Sequence, residues 1–167
     1  LPVIDLREPG EIDHAIELVL LWHCLQLVPA KTLTTRRFIN IHPGLNPHNR
    51  GWFPHVFAMM DGSPVGVTIH EVDELIDHGP IIRQQEIAVR PSDTSATLYG
   101  RLLRLESELL RGIYPSLVAG SYSTFEPEGI GSFHSRKDFE AARMLDPDEV
   151  IEVGELITRL RALSHPP

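Results

Sequence analysis

Leu98, Leu102, Leu105, Leu109, Ile113 and Leu117 recur at steps of three or four, which predicts one long helix from about Thr94 to Val118 with a buried face. Asp93 is its expected N-cap. Upstream the pattern changes to short apolar runs. Glu17 to Trp22 reads as a strand of the buried, parallel type, followed by a helix opening at Pro29. Arg37 to Ile41 is the next strand. Val65 to Val72 and Pro80 to Val89 are two more, joined by the acidic loop Asp73 to Gly79. Between them, His42 to Trp52 carries Pro43, Gly44, Pro47 and Gly51, a long shaped loop. A short helix from Phe53 to Met60 lies over it, and Asp61 to Pro64 is a turn. One short helix, near Glu8 to Ile16, precedes the first strand. Beyond the long helix, Gly120 to Gly131 is a loop or loose hairpin. Ser135 with Asp138 opens a helix to about Met144, and amphipathic Val153 to Leu163 closes the pattern. Strands interleaved with helices define the class as α/β.

Composition narrows the setting. The 167 residues suffice for one domain with its own core plus a small appendage, and 42% apolar with 23% charged residues is ordinary for a globular chain. No apolar run approaches a membrane span, and no basic-then-apolar signal opens the sequence. The single cysteine, Cys24, excludes an internal disulfide and fits a reducing cytoplasm; a buried thiol is the expectation for it. Fifteen basic residues face 23 acidic ones, a net charge of −8 that argues against nucleic acid as partner. His42, His48 and His55 match neither a helical pair nor a finger spacing, so no metal is expected.

The chemistry concentrates at two strand ends. Asn40 and His42 are two apart on one strand and therefore point to the same side. Asp77 follows the next strand, between Ile76 and Gly79. An amide, an imidazole and an orienting carboxylate are the parts that acyl transfer to a neutral amine requires. Asn40-Ile41-His42-Pro43-Gly44, continuing to Trp52, together with Gly66 to His70 and Ile76-Asp77-His78-Gly79-Pro80, resembles the signature of the folate-dependent formyltransferases. The resemblance runs from about Glu17 to about Leu117.

It implies a Rossmann-like core with a mainly parallel sheet, residues 1–119, and a C-terminal loop and helical appendage, residues 120–167. Asn40, His42 and Asp77 fall on the family's catalytic residues. On this reading a protonated His42, steadied by Asp77, stabilises the oxyanion of the attacked formyl group. Asn40 donates to the same oxygen, and Asp77 takes the amine proton. The donor, 10-formyltetrahydrofolate, would meet the turn Cys24, Leu25, Gln26 and Leu27 and the acidic loop through Val72, Asp73, Leu75 and Ile76. Core packing is an open alternative for Leu25 and Leu27.

Where other members have Ser-Leu-Leu-Pro after the histidine, this chain continues Pro43-Gly44-Leu45-Asn46-Pro47, which is similar to the sugar N-formyltransferases. That implies a dTDP-linked amino dideoxysugar as acceptor, with product passing to an O-antigen or related glycan. Asn49 would meet hydroxyls, Arg50 the pyrophosphate and Trp52 the base. A homodimer formed through C-terminal elements is expected. The rivals are methionyl-tRNA or glycinamide ribonucleotide as acceptor, or an inactive remnant, because the family's first two βα units are expected ahead of Leu1.

Overall fold

The computed structural model describes residues 12–13 and 15–164. Most of the helix expected near Glu8 lies outside them; its described end is a turn, with the Ile16 amide bonded to the Asp13 carbonyl. β1 (Leu18–Trp22) and β2 (Arg37–His42) pair in parallel, joined through the short helix α1 (Ala30–Leu33). A two-residue strand, β3 (Arg50–Gly51), interrupts the expected loop and leads into α2 (Pro54–Asp61). β4 (Gly66–Glu71) and β5 (Ile81–Glu86) complete a four-stranded sheet in the order β1-β2-β4-β5.

The α/β class is as expected, but the described sheet is mixed rather than mainly parallel. β4 runs antiparallel to β2, and β5 antiparallel to β4. The acidic loop from Val72 to Pro80 is too short to carry a crossover, so it returns β5 alongside β4 as a hairpin. A bulge between Ile69 and His70 breaks their register.

α3 (Ser95–Ala119) carries the predicted leucine stripe, with Leu98, Leu102 and Leu117 fully buried. Its N-cap is Thr94, not Asp93. Thr94 accepts from the Thr97 amide, and Thr97 answers to the Thr94 amide, a reciprocal cap. Asp93 instead bonds the Arg90 amide and pairs with Arg101. Two residues of β6 (Phe133–His134) lie parallel to β3, before α4 (Arg136–Ala142) and α5 (Val153–Ala162). The appendage shares the main core: Phe139 and Ala162 pack with Ile39, Val56, Val67 and Leu102.

Leu102 bridges helix and sheet at zero exposure. Leu102→Ala is expected to cost about 2–5 kcal/mol of folding stability, read from urea denaturation midpoints.

Candidate active site

Asn40 and His42 leave β2 on one face, as the strand period requires, and Asp77 meets both. Asp77 has φ +49, a left-handed conformation that turns its carboxylate back toward the sheet. Its Oδ1 accepts from Asn40 Nδ2 at 2.8 Å, and its Oδ2 accepts from the Gly51 amide at 3.0 Å. His42 Nδ1 lies 3.5 Å from Oδ2, and His70 Nε2 lies 3.6 Å from Oδ1. Asn46, itself buried, donates from its side chain to the Asp77 carbonyl at 2.8 Å. The carboxylate is therefore held from β2 and β3, and the backbone behind it from the loop before β3.

The role of His70 is not legible in the sequence. It faces Asn40 directly across the antiparallel β2–β4 register, a pairing that neither strand's sequence announces. Its Nδ1 lies 2.7 Å from the Glu71 carbonyl, which can only accept, so the hydrogen sits on Nδ1. The Nε2 lone pair is then left to accept from Asn40 Nδ2 at 3.2 Å. Both neighbours of the Asn40 NH2 group are acceptors, and both of its hydrogens are engaged. The amide hydrogens of Asn40, expected to face the substrate oxygen, are thus taken up within the cluster.

Electrostatics alter the expected proton inventory as well. Burial is the largest influence on His42 and lowers its pKa; the carboxylates of Asp77 and Glu106 oppose this, while His70 and His23 add to it. His42 rests neutral. Burial pushes Asp77 upward, but attraction to His42 and the Gly51 amide hold it far below the usual carboxylate range. The resting pair is a neutral imidazole beside an ionised carboxylate, not the protonated His42 expected. The remaining ring nitrogen, His42 Nε2, is buried without a partner among the described residues. Gly44 lies against it: a Cβ there would collide with the ring.

The loop that shapes the site is fixed by polar residues of the sheet. Thr68 Oγ1 donates to the Gly44 carbonyl at 2.7 Å and accepts from the Asn46 amide at 3.0 Å, while Gln84 bonds the Asn46 carbonyl at 2.6 Å. Gly51 has φ +92, and β6 packs so closely that a side chain would strike the His134 carbonyl.

Asn49, expected at the sugar, is 1% exposed; its amide is engaged by Ser63, Ser132 and His134 and ties the loop down. Trp52 packs near Phe53, with the Arg136 guanidinium 5.4 Å over its ring. Arg50 Nε is buried without a partner among the described residues. Leu25 and Leu27 are not core residues: they are 82% and 71% exposed, and Leu75 and Ile76 are exposed too. Cys24 is exposed, not buried, because the turn after β1 carries it outward; its thiol lies 3.7 Å from the Gln26 carbonyl. Val72 packs beside Leu21 and Phe38, and Asp73 closes its own loop on the Leu75 amide and His78. Among the described residues, no His, Cys, Asp and Glu side chains gather as a metal cluster.

Comparison with known proteins matches residues 11–113 to the formyl transferase family. The chain belongs to this family. Residues 138–167 match an N-formyltransferase dimerization C-terminal domain. A dTDP-4-amino-4,6-dideoxyglucose formyltransferase of Mycobacterium bovis is 46% identical over 165 residues, 98% of this chain and 70% of that protein. A 4-N formyltransferase structure from Francisella tularensis superposes with TM-score 0.93 at 37% identity, covering 98% of this chain and 68% of that one. An Anoxybacillus kamchatkensis formyltransferase, solved with tetrahydrofolate and a UDP-linked 4-formamido sugar, shares 28% identity at TM-score 0.69, over 76% and 68% of the two chains. The formyltransferase fold thus frames the Asn40–His42–Asp77 cluster.

The two pKa shifts have one sign for stability. An unfolded His42 takes up a proton below its ordinary 6.5, and an unfolded Asp77 below 3.8, while the folded groups resist until lower pH. The unfolded chain binds more protons, so stability falls as pH drops through these values. Denaturation midpoints are expected to decline from pH 6.5 to pH 5 and to do so less steeply in His42→Gln. Equal slopes in the two proteins would contradict a neutral resting His42.

Proposed function

We propose that this formyltransferase moves a formyl group from 10-formyltetrahydrofolate to the amine of a dTDP-linked amino dideoxysugar. The observation that carries this is the hydrogen-bonded Asn40–His42–Asp77 cluster, set at strand ends in a chain 46% identical to a dTDP-4-amino-4,6-dideoxyglucose formyltransferase. The 4-amino sugar is accordingly the preferred acceptor.

The chain fits a folate donor. Leu25 and Leu27 on the turn after β1, and Leu75 and Ile76 on the loop before Asp77, offer exposed apolar surface on the two segments expected to hold a flat pterin. Cys24, Gln26, Val72 and Asp73 contribute mainly backbone there. The donor supplies an activated formyl carbon and a nitrogen leaving group. Asn40 Oδ1 accepts an N–H of the sugar amine and aims its lone pair. The neutral His42 imidazole takes the amine proton as the new C–N bond forms. Asp77, ionised beside it, stabilises the resulting imidazolium, which returns the proton to the departing nitrogen. Arg50, with its unpartnered buried Nε, is the cation assigned to the pyrophosphate, and Trp52 borders it.

Residues 1–119 carry this chemistry and residues 120–167 pair two copies. On α5, Val153, Ile157 and Leu160 form an exposed apolar face, continued by Val150 and Met144, in the segment matched to the dimerization domain. The partner is a second copy, and the net charge of −8 opposes a nucleic-acid acceptor. Among the described residues no helix is long and apolar enough to cross a membrane. The exposed thiol of Cys24 suits the reducing cytoplasm.

His42→Ala and Asp77→Asn are each expected to lower formyl transfer about 10²- to 10⁴-fold, followed by product mass with the dTDP-4-amino sugar. Turnover near the parent's would remove both from the mechanism. Ile157→Glu is expected to yield monomers in sedimentation velocity, whereas an unchanged dimer would place the interface elsewhere.

A further inference from the structure

Glu106 on α3 has no exposed surface, yet it is a carboxylate in a helix face otherwise made of Leu98, Leu102, Leu105 and Leu109. A buried carboxylate is costly to retain unless it is well paired. Its Oε2 accepts two bonds: from the Trp22 indole N–H at 2.9 Å and from His23 Nε2 at 2.9 Å. Its Oε1 has no partner among the described residues. His23 must carry its hydrogen on Nε2 to serve the carboxylate, and the Tyr99 hydroxyl, 3.2 Å away, serves Nδ1.

Trp22 ends β1, and Trp22 pairs with Ile41 in the parallel β1–β2 register. The next residues, His23 and His42, therefore emerge at the same carboxyl end of the sheet, where α/β folds bind ligands. His23 has φ +53, so the chain turns sharply there into the Cys24–Leu27 segment. A non-glycine residue in this conformation has to be held by its surroundings, and the grip of Glu106 on two successive side chains does so.

We propose that Glu106 is a positioning residue of formyl transfer. By holding Trp22 and His23 it fixes the turn that carries the apolar donor-binding segment, and its half-partnered carboxylate is a second counter-charge to His42. The proposal rests on the reading of this chain as a formyltransferase acting through His42. The charged and titratable groups acting on His42 are Asp77 from the acidic loop, His70 from β4, His23 from the turn after β1, and Glu106 from α3; Glu106 acts in the same sense as Asp77.

The two roles separate by substitution. Glu106→Gln keeps an oxygen for Trp22 and His23 and removes the charge; Glu106→Asp keeps the charge and withdraws it from both donors. In ring-labelled histidine NMR of the whole chain, E106Q is expected to lower the His42 titration midpoint, and E106D to leave it near the parent's. The acid limb of kcat/KM should move to lower pH with it. E106D is expected to raise KM for the folate donor about fivefold or more, with a smaller change in kcat. An E106Q titration superimposed on the parent's overturns the counter-charge. An unchanged donor KM in E106D overturns the grip, whether or not E106Q folds. The NMR midpoint needs no turnover, so silence of the parent toward every acceptor would count against the function and leave the test of Glu106 intact.

Discussion

A carboxylate largely withdrawn from water has to be surrounded by donors, and in this protein the Asp77 carboxylate gathers them from separate strands. Asn40 and His42 come from β2, the Gly51 amide from β3, and Asn46 secures the backbone behind it. Burial alone would neutralise such a group; these partners keep it ionised. The left-handed backbone at Asp77, the glycine at 51 and the polar Thr68 and Gln84 inside the sheet are the structural conditions for that arrangement. The proposed transfer uses the contrast between a carboxylate held charged and an imidazole held neutral, a difference made by burial and geometry rather than by residue type.

Much of this was legible in the sequence where the signal is local. The leucine spacing of α3 and the Ser135–Asp138 cap each depend on residues within a turn or two, and both formed as expected. Asn40 and His42 share a face because a strand alternates. The N-cap fell one residue later because Asp93 has a stronger partner in Arg101, eight residues on. What could not be read is long-range register. His70 matters because it lies opposite Asn40, and Glu106 because α3 crosses the end of β1 about 80 residues downstream. Sequence periodicity carries neither fact. Cys24 is exposed for a related reason: the turn at His23 throws it outward with Leu25 and Leu27, a backbone conformation that periodicity does not carry.

The same registers shape the proposed chemistry. Considered by itself, Asn40 is a candidate oxyanion donor. With His70 locked as an acceptor by the Glu71 carbonyl, its amide hydrogens are already in use. A side chain's role here is set by the tautomer of a neighbour on another strand, which in turn is set by a backbone carbonyl.

The two-residue ladder between Arg50–Gly51 and Phe133–His134 joins parts of the chain 83 residues apart, and its Gly51 amide is a ligand of Asp77. During synthesis the strand that supports this amide leaves the ribosome long after the cluster it steadies. A nascent chain that stops at the end of α3 holds Asn40, His42 and Asp77 but lacks the strand that braces their carboxylate. The site therefore matures late, and a protein cut short in translation carries the signature residues without the finished geometry.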